Sequence, residues 1–115
     1  MNLIAMEQSS AQVPPEMVIP EAETNEAVAR RCRAVAMCVK PGLNQRQFAA
    51  WLGVSPARWN NVVAQDMSLG RDLAMMLVRK VSTLGLDYLY LGRHTGLNFQ
   101  LSQCLSEAEE KARTA

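Results

Sequence analysis

The chain is poor in the residues that carry most enzyme chemistry. It has one histidine, His94, and three cysteines, Cys32, Cys38 and Cys104, none of them in a C-x-x-C arrangement. With so few ligands, none of them closely paired, a zinc site is not expected. An odd number of widely spaced cysteines does not resemble a disulfide framework either, so a reducing, cytoplasmic setting is the expectation. There is no Gly-rich phosphate loop and no pair of carboxylates placed for acid–base work. Neither catalysis nor a bound cofactor or metal is expected. No apolar run approaches the roughly 20 residues that span a bilayer. The N-terminus lacks a basic stretch followed by an apolar one, so a signal peptide is not expected. Aromatic residues are scarce as well, with two each of Trp, Tyr and Phe among 115 residues. A core must therefore be built from Leu, Val, Ala and Met, and the length fits one small domain with tails.

The formal net charge of +1 conceals an uneven distribution. Residues 1–25 hold four acids and no Lys or Arg, whereas residues 26–96 hold ten Lys or Arg against four acids, a net of +6. A basic middle between acidic tails suggests a polyanionic partner. Residues 1–23, with three prolines in "SSAQVPPEMVIPEAE" and no helical period, read as a flexible acidic arm or as a segment that docks on a partner or on the domain itself.

The rest reads as helices without strands. Thr24 or Asn25 caps a first helix, whose stripe is Val28, Cys32, Val35, Ala36 and Val39, and Lys40-Pro41-Gly42 stops it. Arg30, Arg31, Arg33 and Lys40 lie off that stripe and are expected to face water or phosphate. A later helix carries Leu73, Leu77, Val81 and Leu84 and is expected to close at Gly85. Asp87 would cap a short helix through "LDYLYLG", ending at Gly92, with Tyr88 and Tyr90 as packing residues and His94 on the surface beyond. Residues 97–115 form a C-terminal helix and charged tail. Their stripe of Leu97, Leu101 and Leu105 either docks on its own domain or forms a dimer seam.

The informative stretch is residues 44–63, "NQRQFAAWLGVSPARWNNVV". Asn44 can cap a helix that starts at Gln45 and Arg46, where free backbone N–H groups and the helix dipole favour a phosphate. Phe48, Ala49 and Leu52 face inward, and Ala49 is small where a second helix must cross. Gly53 ends the helix in a left-handed conformation, and Val54 fills the space under the turn. Ser55 caps the second helix with Pro56 at its first position. Trp59 and Val62 form its inner face. Ala57, Arg58, Asn60 and Asn61 remain outside. A hairpin whose only task is packing would use the same inner residues.

This spacing, followed by a helix and then "LGLDYLYLG", resembles the phage-repressor-like (Cro/repressor, XRE-like) family of helix-turn-helix DNA-binding domains over residues 26–96. The resemblance implies an all-α fold: a compact five-helix lambda-repressor-like domain over 24–96, with its helix-turn-helix unit at 44–64, the arm before it and an extra helix after it. It implies a transcriptional regulator, a repressor by expectation, that binds double-stranded DNA as a homodimer. Gln45 and Arg46 would lie near the DNA backbone. Ser55, Pro56, Ala57, Asn60 and Asn61 would face the major groove, the two Asn pairing with adenine edges and Ala57 meeting a thymine methyl, and Arg58 would reach a phosphate or a guanine. Tyr88 stands where relatives often have Trp. The loop of Gln65, Asp66 and Met67 is less basic than in relatives, so weak binding by a monomer, or reliance on a dimer, is expected. The alternative is a helix-turn-helix turned to protein contact, as in an antitoxin, antirepressor or adaptor, through the arm or the C-terminal helix.

Overall fold

A computed structural model describes residues 19–64 and 67–114. The loop residues Gln65 and Asp66, and the arm before residue 19, lie outside the described residues. Among the described residues the protein is all helical. A 3-10 turn at Glu21–Glu23 is followed by α1 (Asn25–Val39), α2 (Gln45–Leu52), α3 (Pro56–Val63), α4 (Arg71–Lys80), α5 (Leu86–Leu91) and α6 (Phe99–Thr114). No described helix is long and apolar enough to cross a membrane.

Thr24 starts α1, its hydroxyl accepting from the Ala27 N–H at 3.2 Å. The helix is central: α3, α5, α6 and the 3-10 turn all pack on it. Its buried residues therefore include Ala27, Ala29 and Ala34 besides the apolar stripe. Small residues at these positions let four neighbours approach one axis. The core continues through Phe48, Leu52, Trp59, Leu73, Leu77, Tyr88, Leu89 and Leu105. As the aromatic scarcity implied, aliphatic side chains supply most of it.

Residues 20–23, assigned to the arm from sequence, instead form the turn that lies against α1 and α5. The cause is Arg31. It is only 3% exposed, and it donates from Nε to the Leu89 carbonyl at 3.0 Å and from its terminal nitrogen to the Ala22 carbonyl at 2.5 Å. A buried guanidinium needs acceptors. Here they are an orphan carbonyl in the last turn of α5 and one in the turn before α1. Burial lowers the Arg31 pKa, and Glu109 on α6 opposes that shift. Arg31 was expected to face water or phosphate. It does neither, because α5 and the turn cover that side of α1.

Helix α4 ends at Lys80, not at Gly85. Thr83 takes a left-handed backbone at φ 66°, and its hydroxyl accepts from the Asn98 N–H at 2.8 Å, so a tertiary contact fixes the reversal. Gly85 instead precedes α5 as its N-cap, and Asp87 lies within the first turn of α5 and does not cap it. Gly92 closes α5 at φ 77°, and a Cβ there would sit 3.0 Å from the Arg31 guanidinium. Tyr90 packs half-buried, and its hydroxyl donates to the Leu69 carbonyl at 2.6 Å.

The C-terminal stripe docks on its own chain: Leu105 and Ala108 are buried, and α6 lies along α1. The sulfurs of Cys38 and Cys104 are joined in a disulfide that ties these two helices together. This overturns the expectation that the cysteines form no such link. The partners lie 66 residues apart, and only the folded chain brings their helices side by side. Cys32 is the free, buried thiol, as its place in the stripe required.

Candidate nucleic-acid interface

Helices α2 and α3 are joined by a turn whose chemistry is local. Asn44 and Gln47 form a reciprocal capping box, with the Asn44 side chain accepting from the Gln47 N–H at 2.8 Å and Gln47 accepting in return at 2.9 Å. Gly53 adopts φ 97°, and the Gly53 and Val54 N–H groups both donate to the Ala49 carbonyl. Ser55 then accepts from the Arg58 N–H at 3.1 Å, and Pro56 occupies the first turn of α3. Ala49 is fully buried beneath the crossing, and Val54 is half-buried at the turn.

The inner side of α3 is held from three directions. Trp59 is fully buried, with its ring centroid 4.9 Å from that of Phe48. Val62 and Val63 are buried beside it. Arg33 on α1 donates to the Val63 carbonyl in the last turn of α3. A cation at that end also complements the helix dipole. Two arginines of α1, two residues apart, thus each close the C-terminal end of a different helix.

The outer side is bare. Ser55, Pro56, Ala57, Arg58, Asn60 and Asn61 are exposed, as are Gln45 and Arg46 at the start of α2. Gln45, Arg46, Pro56, Ala57 and Asn60 line one shallow cleft between the two helices. Arg58 and Asn61 line a second with Met67, Ser68 and Gly70, toward the loop before α4. Of the residues singled out from sequence, the structure brings five together in the first cleft and places Arg58 and Asn61 in the second, while the Ser55 side chain is engaged as the cap. No described residue hydrogen-bonds the side chains of Arg46, Arg58, Asn60 or Asn61.

Gln45 differs from the other exposed residues. Its side-chain oxygen accepts from the Trp59 indole N–H at 2.6 Å. Indole N–H only donates, so the amide oxygen must face it and the amide NH2 is left with two donors for another acceptor. The buried tryptophan of α3 therefore orients a polar group on α2. Sequence reasoning placed both residues but missed their bond, because spacing along the chain does not show which side chains meet across a turn.

The basic middle of the chain is distributed differently from what its net charge implied. Arg31 and Arg33 serve helix ends, and Lys40 and Lys80 lie on Trp51, at 5.1 and 5.0 Å from its ring centroid. Lys80 also donates to the Trp51 carbonyl at 2.9 Å. Arg46 and Arg58 are the cations that line the two outer clefts.

His94, expected on the surface, is half-buried. Its ring meets the Tyr88 ring edge-on at 5.2 Å, and Nδ1 lies 2.7 Å from the Ser102 hydroxyl. Tyr88 is buried, donates to Glu109 at 2.5 Å, and has its pKa pushed up by burial and by that carboxylate. These contacts fasten α6. Among the described residues no group of three or more His, Cys, Asp or Glu could hold a metal. No family model, no curated protein and no solved structure matches the chain.

Proposed function

We propose that residues 44–64 are a helix-turn-helix of the phage-repressor-like kind and that α3 reads duplex DNA in the major groove. The observation that carries this reading is the contrast across α3: a buried inner side, and an exposed outer side of Ala57, Arg58, Asn60 and Asn61 with no side-chain hydrogen bond to another described residue. Exposed polar side chains without partners among the described residues, on a helix whose position is fixed, suit base readout. Asn60 and Asn61 carry paired donor and acceptor groups that match the N6 and N7 edge of adenine, each worth about 1–3 kcal/mol of discrimination. Ala57 offers a methyl to thymine. Arg46, Arg58 and the outward amide of Gln45 meet phosphate, helped by the free N–H groups at the start of α2.

Two cations on one recognition surface neutralise few phosphates, so a single copy binds weakly. The functional form in this reading is a homodimer on a two-fold site, with half-sites about 34 Å apart or a multiple of that. Its role in this reading is transcriptional regulation, as a repressor. No catalytic step and no cofactor is proposed.

That the two outer clefts are lined by just Arg46 and Arg58 among the cations favours one second reading, in which the same outer face contacts a protein, as in an antitoxin, antirepressor or adaptor. Selection of bound sequences from a random duplex pool separates the two. A DNA reader enriches a defined site, and Asn60→Ala with Asn61→Ala loses that preference while still folding. A folded double variant that keeps the same preference removes these residues as readers, and failure of the native chain to enrich any sequence favours the protein-contact reading.

A further inference from the structure

We propose that Cys38 and Cys104 are a thiol-exchange site that latches α6 onto α1, opened by low-molecular-weight thiols and closed by their disulfides. Three observations carry this. The bond joins the last turn of α1 to the middle of α6, so it decides whether the C-terminal helix is held covalently. Both cysteines are half-buried, within reach of a small thiol, whereas Cys32 on the same α1 is fully buried and its thiol is pushed up to about 12. Reactivity follows exposure and thiolate character, so the chain separates one exchangeable pair from one inert thiol.

The third observation is what else holds α6, which packs along α1 but buries few large side chains past the latch. It runs back along α1: Cys104 joins Cys38, while Glu109 and Arg113 line a cleft with Ala27, Arg30 and Arg31. Past Cys104 its buried side chains are Leu105 and Ala108. Ala108 is buried in the core, and with Ala112 it also borders a cavity of about 210 Å³ against Arg33, Ala34, Met37 and Gln45. Alanines are small and contribute little burial. The noncovalent hold includes Leu105 and Ala108, Leu101 packed against the core, the Tyr88–Glu109 bond and the His94–Ser102 contact.

The chemistry balances without a cofactor. A small thiolate attacks one protein sulfur, the protein S–S bond breaks, and the other cysteine leaves as thiolate. A second small thiolate attacks the mixed disulfide and releases the first cysteine. Two small thiols become one small disulfide, and the protein gains two electrons and two protons. The reverse sequence, with the small disulfide as oxidant, closes the latch. This inference does not rest on DNA binding.

The test uses the full chain equilibrated in mixtures of oxidised and reduced glutathione. Acid quenching, alkylation in denaturant and intact mass then count free thiols. Oxidised protein should show one thiol and reduced protein three, with a single midpoint between them. Hydrogen exchange on the two end states should show protection of amides 99–110 falling by about tenfold or more on reduction, while that of residues 45–63 changes by less than about twofold. Cys104→Ser should show the open pattern in both buffers, and if it does not fold, reduced wild-type protein supplies the same comparison. A pair that stays reduced at every ratio overturns the proposal. So does a disulfide that forms while α6 protection is the same in both states.

Discussion

On its inner side α3 offers Trp59, Val62 and Val63, all buried, and its last turn is closed by Arg33 of α1. On its outer side Ala57, Arg58, Asn60 and Asn61 stand exposed. The same eight-residue helix thus has one side that fixes its position and another whose residues contribute little to folding. The difference separates what stability measurements report from what binding measurements report. A change on the inner side should alter folding, and a change on the outer side should alter recognition with the fold intact.

The strongest way to break the contrast is Trp59→Ala. It removes the largest fully buried side chain and frees Gln45. The expected loss is about 3–5 kcal/mol in urea denaturation. A loss below about 1 kcal/mol, the scale of an exposed site, would place α3 outside the cooperative core. Next comes Arg31→Leu, which leaves the Leu89 and Ala22 carbonyls without their donor. The Leu89 carbonyl is buried, and orphaning it costs about 1–3 kcal/mol, read as a lower thermal midpoint, whereas Ala22 is exposed and its carbonyl can turn to water. Ser55→Ala removes the cap on the Arg58 N–H and should cost about 1 kcal/mol. Asn60→Ala with Asn61→Ala should change stability by no more than about 0.5 kcal/mol per site. Arg58→Ala should leave the fold equally intact and, in the DNA reading, lower the salt dependence of binding by about one counterion.

Much of this arrangement was legible in the sequence because it is local. Asn44, Gly53, Ser55 and Pro56 act on neighbours within four residues, so their types and spacing determine the turn. Trp59 and Val62 follow helical periodicity. The features that escaped are those fixed across the fold. Arg31 lay off the apolar stripe of α1, yet α5 and the turn before α1 enclose it. The reversal after α4 falls at Thr83 because Asn98 binds there, a contact between residues 15 apart. The Cys38–Cys104 link spans most of the chain. Net charge misled for the same reason. It counts arginines and lysines, but it does not tell those that close helix ends or lie on Trp51 from those that face outward.

The central claim is that the outer face of α2 and α3 meets a nucleic-acid backbone and its bases. The most direct test is the affinity of the full chain for random duplex DNA measured across a series of salt concentrations. The account predicts binding at low salt that weakens with a clear negative slope of log affinity against log salt, a few counterions per bound copy. Absence of binding at the lowest salt would contradict it and leave the outer face of α3 to a protein partner.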